Sequence, residues 1–425
     1  MQTNTVARGL MDFIRRSPGR YHAVENVRQR MEAAGFTRLL EREPWQLKPG
    51  GKYYVERGGS SILSFRLPEK APERLRLILA HSDSPTFKIK PGETITADGI
   101  TRLNVEKYGG AILTTWFDRP LSVAGRVLVQ ESGNIVSRLV CVDRDLVMIP
   151  SLAIHLSDPK QELSVQTHLL PVLSADGSET ATDDVLRECG VDPETVLASD
   201  LFVTCRMEPT IWGAHHELLS APRLDDLACV YGAMEGFLAV EAGEDVLMHC
   251  ALDNEEVGSH SKQGAASTFL RDAVDRICAA YGFDVDARAA MLARSVFVSA
   301  DNAHAAHPAY PAVYDPVNRP RLNGGVVLKH HAGHRYITDA TSASLFRLIC
   351  REHDIPMQEY TNHSDQRGGS TLGNVSITQV SLNGMDIGLP QLAMHSAYET
   401  MGANDPAHLV RFASAFYADP IPEFV

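Results

Sequence analysis

Apolar positions recur at helical spacing in the first part of the chain. Val6, Leu10, Phe13 and Ile14 share one face over 4–17, and Ala23, Val24, Val27, Met31 and Ala34 do so over 21–35. Two amphipathic helices are predicted there. Short apolar runs at 52–56 and 61–66 read as strands. The run from Leu75 to Ala80 reads as a buried strand that ends in a polar cluster. From about 92 to 219 short alternating runs are punctuated by turn residues, with one weak helical period near 180–190. That texture suits a sandwich or barrel. After 220 helix and strand alternate. LDDLACVYGAMEGFLAV, 262–282, 340–353 and 405–417 read as helices, and DVLMHCALD and RSVFVSADN as strands. SITQVSL and PQLAMHS continue the alternation before the closing helix.

Such alternation predicts an α/β fold with a mixed, largely parallel sheet sandwiched by helices. The simplest organisation is a discontinuous α/β domain, 1–91 and 220–425, interrupted by a β-rich insert at 92–219. Composition narrows the class. The 425 residues are 44% hydrophobic and 22% charged, which excludes a disordered chain, a collagen and a coiled coil. Lys and Arg number 40 against 53 Asp and Glu, a net charge of -13, which disfavours nucleic acid and anionic membranes as partners. No apolar run is long enough to span a bilayer. The first residues carry no apolar signal core. Seven scattered cysteines without a CxxC pair argue against a disulfide framework and a zinc–cysteine site, and point to a reducing cytoplasm.

Five polar clusters follow apolar strands or stand at their ends: His81/Asp83, Asp225/Asp226, Asp253/Glu255/Glu256, Asp301 and His395. In an open α/β sheet, ligands bind beyond the carboxyl ends of the strands, so such residues converge. A carboxylate there must be solvated, paired or bound to metal, because burial alone is costly. Two His and three carboxylates, one of them bridging, make a ligand set for two ions about 3.5–4 Å apart. A further carboxylate off the metal could take a proton from water. Adjacent Glu255 and Glu256 suit that division, since neighbours in an extended or turn segment point different ways. Each cluster alone has a plainer reading. His81-Ser82-Asp83 is a hydrogen-bonded polar segment, Glu255-Glu256 a solvated pair, Asp301-Asn302 a helix cap, and His395 a satisfied core histidine. Their joint placement at successive strand ends is what points to a metal pair.

The stretches AHSDSPTFKIKP (80–91), YGGAILTTWFDRPLSVAGRV (108–127), IPSLAIHL (149–156) and SAPRLDDL (220–227) resemble the aspartyl aminopeptidase family. So do DNEEVGS (253–259), SADNAHAAHP (299–308), GGVVLKHHAGHRY (324–336), GGSTLG (368–373) and QLAMHSAYE (391–399). The resemblance runs in order from near residue 6 to the end. It implies a zinc exopeptidase-like fold and a metallo-aminopeptidase that removes the N-terminal residue of peptides, with a preference for Asp and Glu. Two divalent ions are implied, zinc first, with manganese or cobalt as alternatives.

By position, the resemblance implies His81 and Asp301 as ligands of one ion, Glu256 and His395 of the other, and Asp225 as the bridge. Glu255 is implied as the general base, and Asp83 as the residue that holds the His81 tautomer and orientation. The insert is implied to build dimers, and the dimers a tetrahedral homododecamer, with His155 reaching a neighbouring subunit's site. Lys329 is implied to meet an acidic side chain, and His304, His307 and Tyr336 to line the pocket. The plainer readings are a solvated strand-end histidine for His155, a solvated strand lysine for Lys329, and hydrogen-bonded structural side chains for the other three.

Thr86 and Gly368 stand where family members usually carry Cys, and Asn374 where Pro is usual; 330–334 reads HHAGH. These departures bear on the substrate pocket and leave the implied ligands in place. The alternatives are a di-metal aminopeptidase of broader or different specificity and a same-fold deacetylase. A non-catalytic scaffold is disfavoured, because His81, Asp225, Glu255, Glu256, Asp301 and His395 are all present.

Overall fold

The computed structural model describes residues 2–92, 94–156, 162–177 and 180–423. Its centre is a nine-stranded sheet. In chain order the strands are β1 (Thr37–Leu39), β2 (Lys52–Arg57), β3 (Ser61–Arg66), β4 (Leu75–His81), β5 (Val246–Leu252), β6 (Val296–Ala300), β7 (Val326–His330), β8 (Met357–Thr361) and β9 (Asn383–Gly388). Across the sheet they run β1-β2-β3-β5-β4-β6-β9-β7-β8. The consecutive pairings from β5 through β4 and β6 to β9 are all parallel. That run forms the middle of the sheet, where the alternating pattern after 220 predicted parallel strands.

Successive side chains of a strand face opposite sides. In β4, Ile78 and Ala80 enter one core, while Leu75, Leu77 and Leu79 enter the other. Helices α1 (Gln2–Arg15), α2 (Arg20–Ala33), α3 (Leu224–Leu238), α6 (Ala340–Glu352) and α7 (Asp405–Ala418) cover the first core. Helices α4 (Phe269–Ala280) and α5 (Val285–Arg294) cover the second. Helix α3 is apolar nearly all round, and it is buried nearly all round. It packs closely on α7, where a Cβ at Gly236 would lie 2.4 Å from the Ala413 Cβ. Asp339 caps α6 and shares a capping box with Ser342, a device that contributes about 1 kcal/mol.

A second, antiparallel sheet of five strands has its own core around Phe87, Trp116 and Val123. Its strands are Asn134–Cys141, Leu121–Glu131, Val196–Cys205, Thr86–Ile89 and Val105–Tyr108, in that spatial order. Its first strand in the chain starts at Thr86, before the texture change at 92, because HSDSP leads straight into it. Thr210–Trp212 pairs instead with Leu218–Ala221, which pairs in turn with Glu399–Gly402 in a separate small sheet.

Two local expectations are corrected. The helix expected over 262–282 begins only at Phe269, since residues 259–268 form turns anchored by Ser261 and Gly264. SITQVSL does not extend the sheet; 373–376 is a helical turn, and β9 begins at Asn383. The alternating apolar residues Val380 and Leu382 pack into the second core from turns.

His249 lies fully buried in β5, its ring stacked on Phe237 with centroids 6.1 Å apart. Burial pushes its imidazole down to about 4 from the ordinary 6.5. Between those values the unfolded chain holds the proton and the folded chain does not. Stability is therefore full above pH 6.5 and falls as pH drops through the window. The loss attributable to this residue is on the order of 2–3 kcal/mol. His249→Leu is expected to unfold in urea with a midpoint that changes less between pH 7 and about 4.5 than that of the parent chain. Equal pH dependence in both proteins would contradict the assignment.

Candidate metal centre

Strands β5, β4 and β6 lie side by side and parallel, so their carboxyl ends open at one place. His81 is the last residue of β4. Asp253, Glu255 and Glu256 follow β5, and Asp301 follows β6. Glu255 and Glu256 open a single 3-10 turn reached through Asn254, whose φ is +67°. Asp225 lies in the non-helical first turn of α3, after Leu224, and His395 follows the strand Pro390–Leu392, itself at φ +68°.

The side chains converge. Asp225 Oδ1 lies 3.5 Å from His81 Nε2, and its Oδ2 lies 3.5 Å from His395 Nε2. His81 Nε2 is 3.9 Å from Asp301 Oδ1. His395 Nε2 is 3.3 Å from Glu256 Oε2. The donor atoms form overlapping sets, each within 4.8 Å: His81 with Asp225, Asp226 and Asp301; His81 with Glu255 and Glu256; Asp225 with Glu256 and His395. Asp225 belongs to two of these sets and has one oxygen toward each histidine, so it could bridge two ions.

Both imidazoles are held through Nδ1. That of His81 donates to the Asp83 carbonyl at 3.0 Å, and that of His395 to the Gly110 carbonyl at 3.1 Å. With Nδ1 so engaged, each Nε2 points into the cluster and is the nitrogen that could take an ion once its proton is lost. The Asp83 carboxylate accepts from the backbone N–H groups of Glu255 and Glu256, at 3.1 and 3.2 Å, and from Tyr108 Oη at 2.6 Å. It therefore fixes the turn that carries both glutamates. Gly109 must be glycine here: its φ is +74°, and a Cβ would sit 3.1 Å from the Glu256 Cβ.

The charge balance of the site is one-sided. His81, Asp225, Asp226 and Asp301 are buried, and Asp225 Oδ1, Asp226 Oδ1 and Glu256 Oε1 have no hydrogen-bond partner among the described residues. Burial pushes the Glu255 carboxyl up to about 8 and Asp301 up to about 6, and the neighbouring carboxylates add to it. Burial works against a charged His395, but the Asp225 and Glu256 carboxylates outweigh it and hold the imidazole at about 10. A buried, mutually repelling set of oxygen donors with two imidazoles is what divalent cations stabilise. The nitrogen and carboxylate donors fit two ions such as zinc, manganese or cobalt.

The residues expected to line the substrate pocket lie in two places. Lys329, in β7, is buried; its Nζ donates to the Asn302 carbonyl at 2.9 Å and lies 3.9 Å from Asp301 Oδ2. It sits over the buried Tyr336 ring, 5.4 Å from the centroid. The solvated-lysine reading is thereby corrected. His304 packs edge-on against Tyr360. Burial, and then the charge of Lys329, pushes its imidazole down to about 4. His307 packs on Tyr310 with centroids 4.9 Å apart, in the loop beyond. His155 lies apart from all of these, exposed on the insert just before the undescribed residues 157–161.

The sequence reading gave no role to Tyr108, Gly110, Gln391 or Glu399, and Asp226 entered it only as a neighbour of Asp225. The YGG and HSAYE stretches held the signal, but their hydrogen bonds join segments far apart in the chain.

A carboxylate-spanned cluster at the carboxyl ends of central parallel strands, with a glutamate pair beside it, defines a metal-dependent hydrolase. A family model described as aminopeptidase I zinc metalloprotease (M18) matches residues 13–417. The chain belongs to this M18 family. A probable M18 family aminopeptidase 2 of Pseudomonas aeruginosa (strain UCBPP-PA14) is 39% identical over 422 residues, covering 96% of this chain and 97% of that one. One of Clostridium novyi (strain NT) is 38% identical over 424 residues, covering 97% and 98%. Among solved structures, a chain of the Ape4 and Nbr1 complex superposes with a TM-score of 0.93 at 33% identity, over 98% of this chain and 86% of that one. The crystal structure of prApe1 gives 0.91 at 29% identity, over 98% and 95%.

Removing divalent ions with a chelator is expected to lower the unfolding midpoint in calorimetry, and restoring them to raise it. At a free ion concentration about 1,000 times the dissociation constant, the stabilisation amounts to about 4 kcal/mol. Elemental analysis is expected to find both ions lost in Asp225→Ala and one lost in His395→Ala. An unchanged midpoint and an ion-free parent chain would contradict the reading.

Proposed function

We propose that this M18 aminopeptidase removes single residues from peptide N-termini with a broad choice of first side chain, using Glu255 as its base. The observation that carries the chemistry is Asp225, set between His81 and His395 with one oxygen toward each. In this reading His81 and Asp301 would hold one divalent ion and Glu256 and His395 the other, with Asp225 able to serve both. Bound ions supply Lewis-acid polarisation and a water acidic enough to ionise near neutral pH. Glu255 takes the proton from the attacking water and returns it to the leaving amine. Asp83 holds the turn that aims Glu255, and burial favours proton uptake by that carboxyl.

Lys329 bears on the choice of side chain. An acidic first residue would need a free cation in the pocket. The Lys329 ammonium is already engaged with Asp301 and the Asn302 carbonyl, which supports broader specificity. A preference for Asp and Glu is the second reading, favoured by the position of that one buried ammonium beside Tyr336 and close to the site.

Self-association is part of the proposal. Leu152, Ile154 and Leu156, near His155 in the chain, and Met148 before them are exposed apolar side chains of the insert, and such residues suit a contact surface. A related structure, the S. cerevisiae mApe1 dodecamer, has a TM-score of 0.86 at 27% identity, over 98% of this chain and 97% of that one. We extend to this chain a homododecamer built through the insert, in which His155 meets a neighbour's site. All seven cysteines are free thiols, which supports a reducing, cytoplasmic setting. Among the described residues no helix is long and apolar enough to cross a membrane.

Glu255→Gln is expected to keep its ions and lose about 10²–10⁴ in kcat on a free-amine aminoacyl reporter. Retained turnover would remove Glu255 from the role. On a panel of reporters, similar kcat/KM for neutral and acidic first residues is expected, and no cleavage of N-acetylated forms. A large advantage for Asp and Glu would establish the second reading instead. The double variant Leu152→Arg, Ile154→Glu is expected to sediment as a smaller particle than the parent chain.

A further inference from the structure

Glu399 is a buried carboxylate, 1% exposed, and no basic side chain among the described residues forms an ion pair with it. Its partners are unusual. Oε2 accepts the backbone N–H of Asp225 at 3.0 Å, and Oε1 accepts the backbone N–H of His395 at 2.7 Å. One side chain thus grips the main chain at two of the residues assigned to the metal pair. The register explains the reach. Glu399 pairs with Ala221 across the antiparallel strands Leu218–Ala221 and Glu399–Gly402, so it stands where the chains toward Asp225 and His395 diverge.

The grip extends to a third residue. Gln391 Nε2 approaches Glu399 Oε1 at 3.4 Å, and Gln391 Oε1 accepts from Asn302 Nδ2 at 3.0 Å. The same Asn302 amide donates to the Leu224 carbonyl at 2.8 Å. Asn302 follows Asp301, and Leu224 precedes Asp225. The network therefore ties together the backbone beside Asp301, Asp225 and His395. It also meets a local cost. His395 sits at φ +68°, a left-handed conformation that disfavours a non-glycine residue. The hydrogen bond from its N–H to Glu399 Oε1 offsets that cost.

We propose that Glu399 is a positioning residue of the metal centre. Through the main-chain N–H groups of Asp225 and His395 it sets the separation at which one carboxylate can serve both ions, and Gln391 and Asn302 carry the constraint to Asp301. The inference rests on the metal-pair reading of the site. A carboxylate is required because both of its oxygens accept. Glutamine would present an NH2 group to one of the two N–H donors, and aspartate is one methylene shorter.

The test is ion binding, measured apart from catalysis. Apo full-length protein is titrated with Zn²⁺ against a competing chelator, and cobalt-loaded protein is examined by visible absorption. The parent chain is expected to bind two ions. Glu399→Gln is expected to fold, to bind at least one ion about 10–100-fold more weakly, and to show a changed cobalt spectrum. Its kcat is expected to fall more than its KM changes. Glu399→Asp is expected to recover part of the affinity. Gln391→Leu is expected to move affinity and spectrum in the same direction by less, and it decides the matter if the Glu399 variants do not fold. A lowered unfolding midpoint with parental affinity and spectrum, in every variant that folds, would overturn the proposal and leave Glu399 a purely structural residue. A parent chain that binds no ion would overturn the metal-pair reading first, and this inference with it.

Discussion

Negative charge is the organising constraint of this molecule. Asp225, Asp226, Asp301, Glu255 and Glu256 crowd around two imidazoles at the end of a buried sheet, and three of their oxygens have no hydrogen-bond partner among the described residues. Asp225, Asp226 and Asp301 are closed off from solvent, and among the described residues no arginine pairs with them. Lys329 is one fixed ammonium, placed against Asp301. What remains must be balanced by cations or by protons, and the raised carboxyls of Glu255 and Asp301 show the chain alone leaning toward protons. The same crowding that burdens the fold equips the site to hold ions and to move a proton.

Around that cluster the structure places supports of two kinds. Histidine rings are set through Nδ1 by carbonyl groups, so that each Nε2 faces inward. Carboxylates that stand back from the cluster set the backbone. Asp83 holds the Glu255–Glu256 turn, and Glu399 holds the main chain at Asp225 and His395. Neither depends on a long flexible side chain, and both are almost wholly buried. The geometry of the cluster thus derives from main-chain hydrogen bonds anchored in the sheet's own register.

Much of this was legible in the residues. A buried strand such as Leu75–His81 announces itself by an apolar run, and a polar residue at its end stands out because burial there demands a reason. His81, Asp225, Glu255, Glu256, Asp301 and His395 could be picked out on that logic, and the fold brings all six to one place. Glu399 could not, because its meaning lies in the pairing of Ala221 with a strand nearly 180 residues later. Tyr108 and Gly110 belong to the insert and reach the site only through tertiary packing. The late start of α4 and the turns of SITQVSL show the limit of periodicity, since apolar alternation also arises where turns drop single side chains into a core.

The Gly109–Gly110 loop gives the insert a place in the chemistry. It closes directly over Glu256, accepts the His395 ring N–H, and is joined to the same residue again by the bond from the Ile112 N–H to the His395 carbonyl. A histidine steered from a neighbouring lobe registers any tilt of that lobe as a rotation of its own imidazole. A contact that displaced the insert would therefore act on His395 through these two bonds.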